Sequence, residues 1–147
     1  HSPAPGSIEL EITEGVLLQG QELVEDALRE LKSLGLLIAM DDFGIGYSSL
    51  NYLRNYPFDT LKIDREFIRD MTQNPSDREL VHAAIAMSHA LQLDVVAEGV
   101  ETAGQLDMLN QLGCDVAQGY LFAAPLPAVE IPGWFEQFSA GQVTSST

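Results

Sequence analysis

The sequence predicts an α/β protein with about five parallel strands and flanking helices. Three observations lead there. Short apolar segments of strand length alternate with amphipathic helical segments along the chain. Chargeable or polar residues recur at the carboxyl end of every such strand, where βα folds gather their sites. The 147 residues, 46% apolar, suffice for one core, but a closed eight-stranded barrel takes about 250.

Ile8-Glu9-Leu10-Glu11-Ile12 has a period of two, which puts both glutamates on one face of a first strand and the apolar residues on the other. A helix follows through Leu23, Ala27, Leu28, Leu31 and Leu34, with Gly35 as its C′ residue. Leu36–Met40 is a continuously apolar strand and Asp41–Gly46 a turn. A short helix near Ser49–Asn55, which Pro57 helps to end, leads to the strand Thr60–Asp64. Alternation there separates Leu61 and Ile63 from Lys62 and Asp64. Ser76 and Glu79 read as a capping box for a helix to about Leu91, ahead of the strand Asp94–Glu98. Thr102 and Gln105 repeat that signature for a helix ending at Gly113. The strand Asp115–Gln118, a helix over Ala128–Phe138 and a flexible tail over 139–147 complete the chain. Strict alternation implies parallel strands with right-handed crossovers, in an open doubly wound sheet or a (βα) barrel. In the second case the chain is a partial TIM-like barrel.

Composition narrows the function. A formal charge of −15 argues against a nucleic-acid polymer as partner, since such binders bring Lys and Arg to the phosphates. A small phosphate ester is compatible with it if divalent cations stand between acidic groups and the substrate. No run of 18 apolar residues and no leader peptide is visible, so the expected location is cytoplasmic. Cys114, the single cysteine, reads as a small core residue, and His82 and His89 as structural.

Glu11, the pair Asp41-Asp42, Lys62 with Asp64, Glu98 and Gln118 occupy the five successive strand ends. Several carboxylates brought together repel one another unless a cation intervenes. Oxygen ligands of this kind suit magnesium, manganese or calcium, and a carboxylate pair can bridge two ions in phosphodiester hydrolysis. Lys62 could hold the attacking water or offset phosphate charge. Each residue also has a plain alternative: Asp41-Asp42 as a turn pair, Lys62 with Asp64 as a structural ion pair, Gln118 as a partner of local backbone. Joint placement at successive strand ends favours a site.

Five ordered motifs resemble the EAL domains, which hydrolyse the bacterial second messenger cyclic di-GMP to pGpG. They are Leu10-Glu-Ile-Thr-Glu14, Asp41-Asp-Phe-Gly-Ile-Gly-Tyr-Ser-Ser-Leu50, Leu61-Lys-Ile-Asp64, Val95-Val-Ala-Glu-Gly-Val-Glu-Thr102 and Gly113-Cys-Asp-Val-Ala-Gln-Gly-Tyr-Leu-Phe122. The resemblance implies that residues 1–138 are the C-terminal part of such a domain, a metal-dependent enzyme using Mg2+ or Mn2+. By position it makes Glu11 and Asp41 ligands of a first metal, with Asp41 and Asp42 holding a second. Lys62 falls near the attacking water, Glu98 is the general base, and Gln118 supports the water network. Glu14 tethers the loop after Asp42, Asp64 stabilises a loop or approaches substrate, and Glu101 is a further acidic site residue. That loop implies a homodimer, and the family implies an upstream GGDEF or sensory domain. The Glu-Ala-Leu motif and an upstream asparagine ligand do not occur in the 147 residues. The first metal site is therefore expected to be incomplete and the chain alone inactive. Alternatives are a degenerate module that binds cyclic di-GMP without hydrolysis, or a protein-interaction fragment.

Overall fold

The computed structural model describes residues 4–17, 21–43 and 50–139. Five strands form one parallel sheet in sequence order: β1 (Glu9–Thr13), β2 (Leu37–Phe43), β3 (Thr60–Ile63), β4 (Asp94–Ala97) and β5 (Val116–Ala117). Parallel neighbours need long crossovers, and the helices lie in them. These are α1 (Glu14–Leu17), α2 (Gln21–Ser33), α3 (Leu50–Asn55), α4 (Arg65–Asp70), α5 (Pro75–Ala90) and α6 (Ala103–Leu112), with α7 (Ile131–Ser139) after β5.

Strand period two divides the sheet into two chemically different faces. Ile38, Met40, Leu61, Ile63, Val95 and Ala97 are all buried and join two apolar clusters with residues of the helices, among them Leu28 of α2, Ile85 of α5 and Leu109 of α6. The opposite face carries Glu9, Glu11, Lys62 and Val116, and it is open enough that Val116 is 49% exposed.

Local chemistry moves several boundaries from their expected places. The α2 stripe stops at Leu31: Gly35 turns the chain at φ +85°, and Leu34 is left 69% exposed instead of joining the core. The expected turn at Asp41 is strand as far as Phe43. Met40 pairs with Leu61 and Phe43 with Ile63, so β2 carries one extra residue there, a bulge that prolongs pairing through the aspartates. Asp64 leaves β3 to cap α4, accepting the Glu66 N–H at 2.7 Å. This short helix has no long apolar period to announce it. The cap of α5 is Asn74, not Ser76: Asn74 Oδ1 accepts the Ser76 N–H at 3.0 Å, and Pro75 takes the first helical position, where its missing donor costs nothing. At α6 the Thr102–Gln105 capping box forms as read, and Gly113 closes the helix in the left-handed conformation. α7 begins at Ile131 and includes Ser139; the tail beyond it lies outside the described residues. Cys114 is half-buried against the second apolar cluster.

Two aspartates repeat one fastening at the amino end of the sheet. Asp59 accepts the Ile38 N–H at 2.8 Å and Lys32 Nζ at 2.5 Å. Asp115 accepts the Val95 N–H at 2.8 Å and lies 2.8 Å from His89 Nε2. Each stands one residue before a strand, holds the second residue of the strand before it, and pairs with a basic residue near the end of the helix that leads into that earlier strand.

Candidate active site

Lys62 is the centre of the polar face. Its backbone lies in β3 between β2 and β4, and the residue as a whole is only 5% exposed. Nζ lies 2.6 Å from Glu11 Oε1, 2.5 Å from Glu98 Oε1 and 3.8 Å from Asp41 Oδ1. Burial alone would favour the neutral amine. The hydrogen bonds to Glu11 and Glu98, with the charges of Glu98 and Asp41, outweigh it and hold the ammonium above its ordinary pKa. Lys62 is thus a fixed positive charge, and its partners come from three different strand ends.

The bulge sets both aspartates opposite Lys62. Asp42 adopts φ +57°, a left-handed conformation uncommon for a residue with a Cβ, and its N–H donates to Asp41 Oδ1 at 3.0 Å. Burial raises the pKa of the Asp42 carboxyl, and the charges of Asp41 and Asp64 raise it further against the opposing pull of Lys62. Negative charge is in excess around the single ammonium.

Asp64 is occupied as the α4 cap, so the ion pair of Lys62 with Asp64 is not formed; Lys62 takes Glu11 and Glu98 instead. Glu98 follows β4 and donates its N–H to Ile63 O at 3.1 Å. Gln118 follows β5, bonded through its backbone to Ala97 O and the Val100 N–H, and it is among the residues lining an apolar cavity of about 580 Å³ with Phe122, Trp134 and Phe138. Glu101 is exposed, with its N–H given to Gln105 Oε1 at the start of α6. Neither Gln118 nor Glu101 is among the ion partners described for Lys62. The side chain of Glu14 and most of the loop after Asp42 lie outside the described residues.

Gly119 reads in the sequence as a glycine allowing a tight loop at a strand end, but its contact with a second loop is not visible there. A Cβ on Gly119 would meet Val100 O at 2.2 Å and Val100 N at 2.3 Å, so the loop carrying Gln118 lies directly on the loop carrying Glu98. The signal was a glycine directly after a strand-end polar residue.

Among the described residues no three His, Cys, Asp or Glu side chains lie close enough together to hold a metal ion. The donor set still fits one in kind: Glu11 and Asp41 offer hard oxygens around a point where the fold already concentrates a positive charge. These two residues would be part of a ligand set, with Asp42 beside them.

Fold and site together define a βα-barrel-type protein with an acidic, lysine-centred cluster at the carboxyl ends of its strands. The family model for the EAL domain matches residues 1–125, and the chain belongs to that family. It is 49% identical over 120 residues to the cyclic di-GMP phosphodiesterase NbdA of Pseudomonas aeruginosa, covering 82% of this chain and 15% of that protein. The crystal structure of the EAL domain of Mycobacterium smegmatis DcpA superposes with a TM-score of 0.85 at 42% identity, over 91% of this chain and 60% of that one. The Klebsiella pneumoniae BlrP1 complex with manganese and cyclic di-GMP superposes at 0.77 with 33% identity, over 82% and 31%. The sheet is accordingly part of a TIM-like barrel. The chain spans 15 to 20% of the length of the curated relatives it matches.

Proposed function

We propose that the protein to which these residues belong is a metal-dependent phosphodiesterase that hydrolyses cyclic di-GMP to linear pGpG. The observation that carries this reading is the convergence of Glu11, Asp41 and Glu98 on the buried Lys62 ammonium. The names of NbdA and of the BlrP1 complex supply the substrate class and a metal that such a site accepts. Glu11 and Asp41 would hold a first Mg2+ or Mn2+, and Asp41 and Asp42 a second. Bound there, the ions would polarise the phosphoryl oxygen and make water a better nucleophile. Glu98 takes a proton from the attacking water as its oxygen bonds to phosphorus. Lys62 orients that water and offsets charge on the phosphoryl group, and Gln118 supports it. The P–O3′ bond breaks, the 3′ oxygen leaves with a proton, and the 5′-phosphate remains on the product.

The substrate reaches the site in the cytoplasm, and no helix among the described residues is long and apolar enough to cross a membrane. The length of the relatives supports an upstream GGDEF or sensory domain. Dimerisation runs through the loop after Asp42, Glu14 tethers that loop, and Glu101 adds acidic character. Residues 1–138 act as the C-terminal part of the domain. Binding without hydrolysis and a purely protein-binding role are not favoured, because Glu11, Asp41, Lys62 and Glu98 are all present and convergent. The test is chromatographic: a complete domain carrying these residues, given cyclic di-GMP and manganese, produces pGpG. Binding without product, or neither, would overturn the reading.

A further inference from the structure

We infer that Ala39 is a positioning residue: its small side chain leaves the path by which Glu11 crosses β2 to reach the centre of the site. This rests on the proposed role of Glu11 as a metal ligand. The order β1-β2-β3 puts a whole strand between Glu11 and Lys62, whose backbones are therefore roughly 9.5 Å apart. Yet Glu11 Oε1 and Lys62 Nζ meet at 2.6 Å. One register step lower the same crossing recurs, where Thr60 Oγ1 donates to Glu9 Oε1 at 2.6 Å. Both pairs span β2 on its polar face.

Register identifies what lies beneath them. Ala39 pairs with Glu11 on one side and Thr60 on the other, so it is the β2 residue between the two crossings. It is 0% exposed but belongs to neither apolar cluster, unlike Ile38 and Met40 on either side. Its register neighbours on that face are polar, Glu11 and Thr60, and each belongs to one of the two crossings. A methyl group fits under them. A branched side chain at position 39 would stand in the volume that Glu11 crosses, turning its carboxylate out to solvent and away from Asp41.

The test compares the 147-residue chain with its Ala39→Gly, Ala39→Ser, Ala39→Val and Glu11→Gln variants. The first readout needs no metal: the side-chain 15Nζ resonance of Lys62, whose hydrogen-bonded position reports the Glu11 contact. Gly and Ser should keep the wild-type resonance, and Val should move it to the position seen in Glu11→Gln. The second readout is the Mn2+ dissociation constant from the signal of free Mn2+, expected to weaken at least tenfold in Val and Glu11→Gln but less than threefold in Gly and Ser. Should Val not fold, Ala39→Cys, intermediate in size, must give an intermediate displacement in a chain whose melting is cooperative. A Val or Cys variant with the wild-type Lys62 resonance would overturn the inference. Equal Mn2+ affinity in wild type and Glu11→Gln would instead count against Glu11 as a ligand, while the metal-free resonance still decides the role of Ala39.

Discussion

Lys62 Nζ and Glu98 Oε1 lie 2.5 Å apart, although the residue that pairs with Lys62 across the sheet is Val96. The lysine therefore leans toward the carboxyl ends of the strands to meet a glutamate two residues further along. The contact joins the two groups to which water activation is assigned, and a raised Lys62 pKa keeps the ammonium charged.

Glu98→Gln keeps the size of the side chain and removes its basicity. In a complete domain it should lower turnover by about 10²–10⁴-fold, the usual contribution of an acid–base group, with substrate affinity changed little. Single-turnover kinetics with separately measured binding checks this. A loss of only a few-fold would remove Glu98 from the role of base.

Asp41→Asn should weaken manganese binding and abolish most hydrolysis, since Asp41 faces the same cation-holding point as Glu11 and stands beside Asp42. Calorimetric titration of Mn2+ is the measurement. Unchanged affinity together with unchanged turnover would exclude Asp41 as a ligand.

Gly119→Ala tests the contact between the two loops. Its Cβ would lie 2.2 Å from Val100 O, so backbone must move; overpacking of this kind costs about 1–3 kcal/mol. A lower melting temperature is expected, together with a lower turnover number, because Gln118 and Glu98 flank the contact. Wild-type melting would mean the loops separate freely.

Asp115 gives the fold an acid-sensitive fastening. Burial opposes ionisation, but the bonds to His89 and the Val95 N–H prevail and its pKa lies below the ordinary carboxylate value. The unfolded chain then takes up this proton more readily, so the contribution is complete above about pH 4 and is lost as pH falls through the folded value. Asp115→Asn should flatten the fall in stability below about pH 4, measured by urea unfolding across pH. An unchanged slope would contradict the assignment.

The legible part of the fold was the part written in periodicity. Alternation in Glu9–Ile12 and the apolar run before Asp41 give the strands and their two faces, and the Thr102–Gln105 box gives a helix start to the residue. The convergence of Glu11, Asp41 and Glu98 on Lys62 followed from placing polar residues at strand ends. What was not legible depends on register or on single contacts. The Asp41-Asp42 bulge needs the β3 pairing to be seen, Asp64 as a helix cap needs the short α4, and the roles of Gly119 and Ala39 arise from neighbours distant in sequence.

The most direct test of the account is the hydrolysis of cyclic di-GMP in manganese buffer by a complete EAL domain carrying these residues, wild type against Lys62→Ala, with pGpG followed by chromatography. Lys62 is the residue on which Glu11, Asp41 and Glu98 all converge. The account predicts pGpG from the wild-type domain and at least a hundredfold less from Lys62→Ala, with cyclic di-GMP still bound by both. Equal pGpG production by wild type and Lys62→Ala would contradict it.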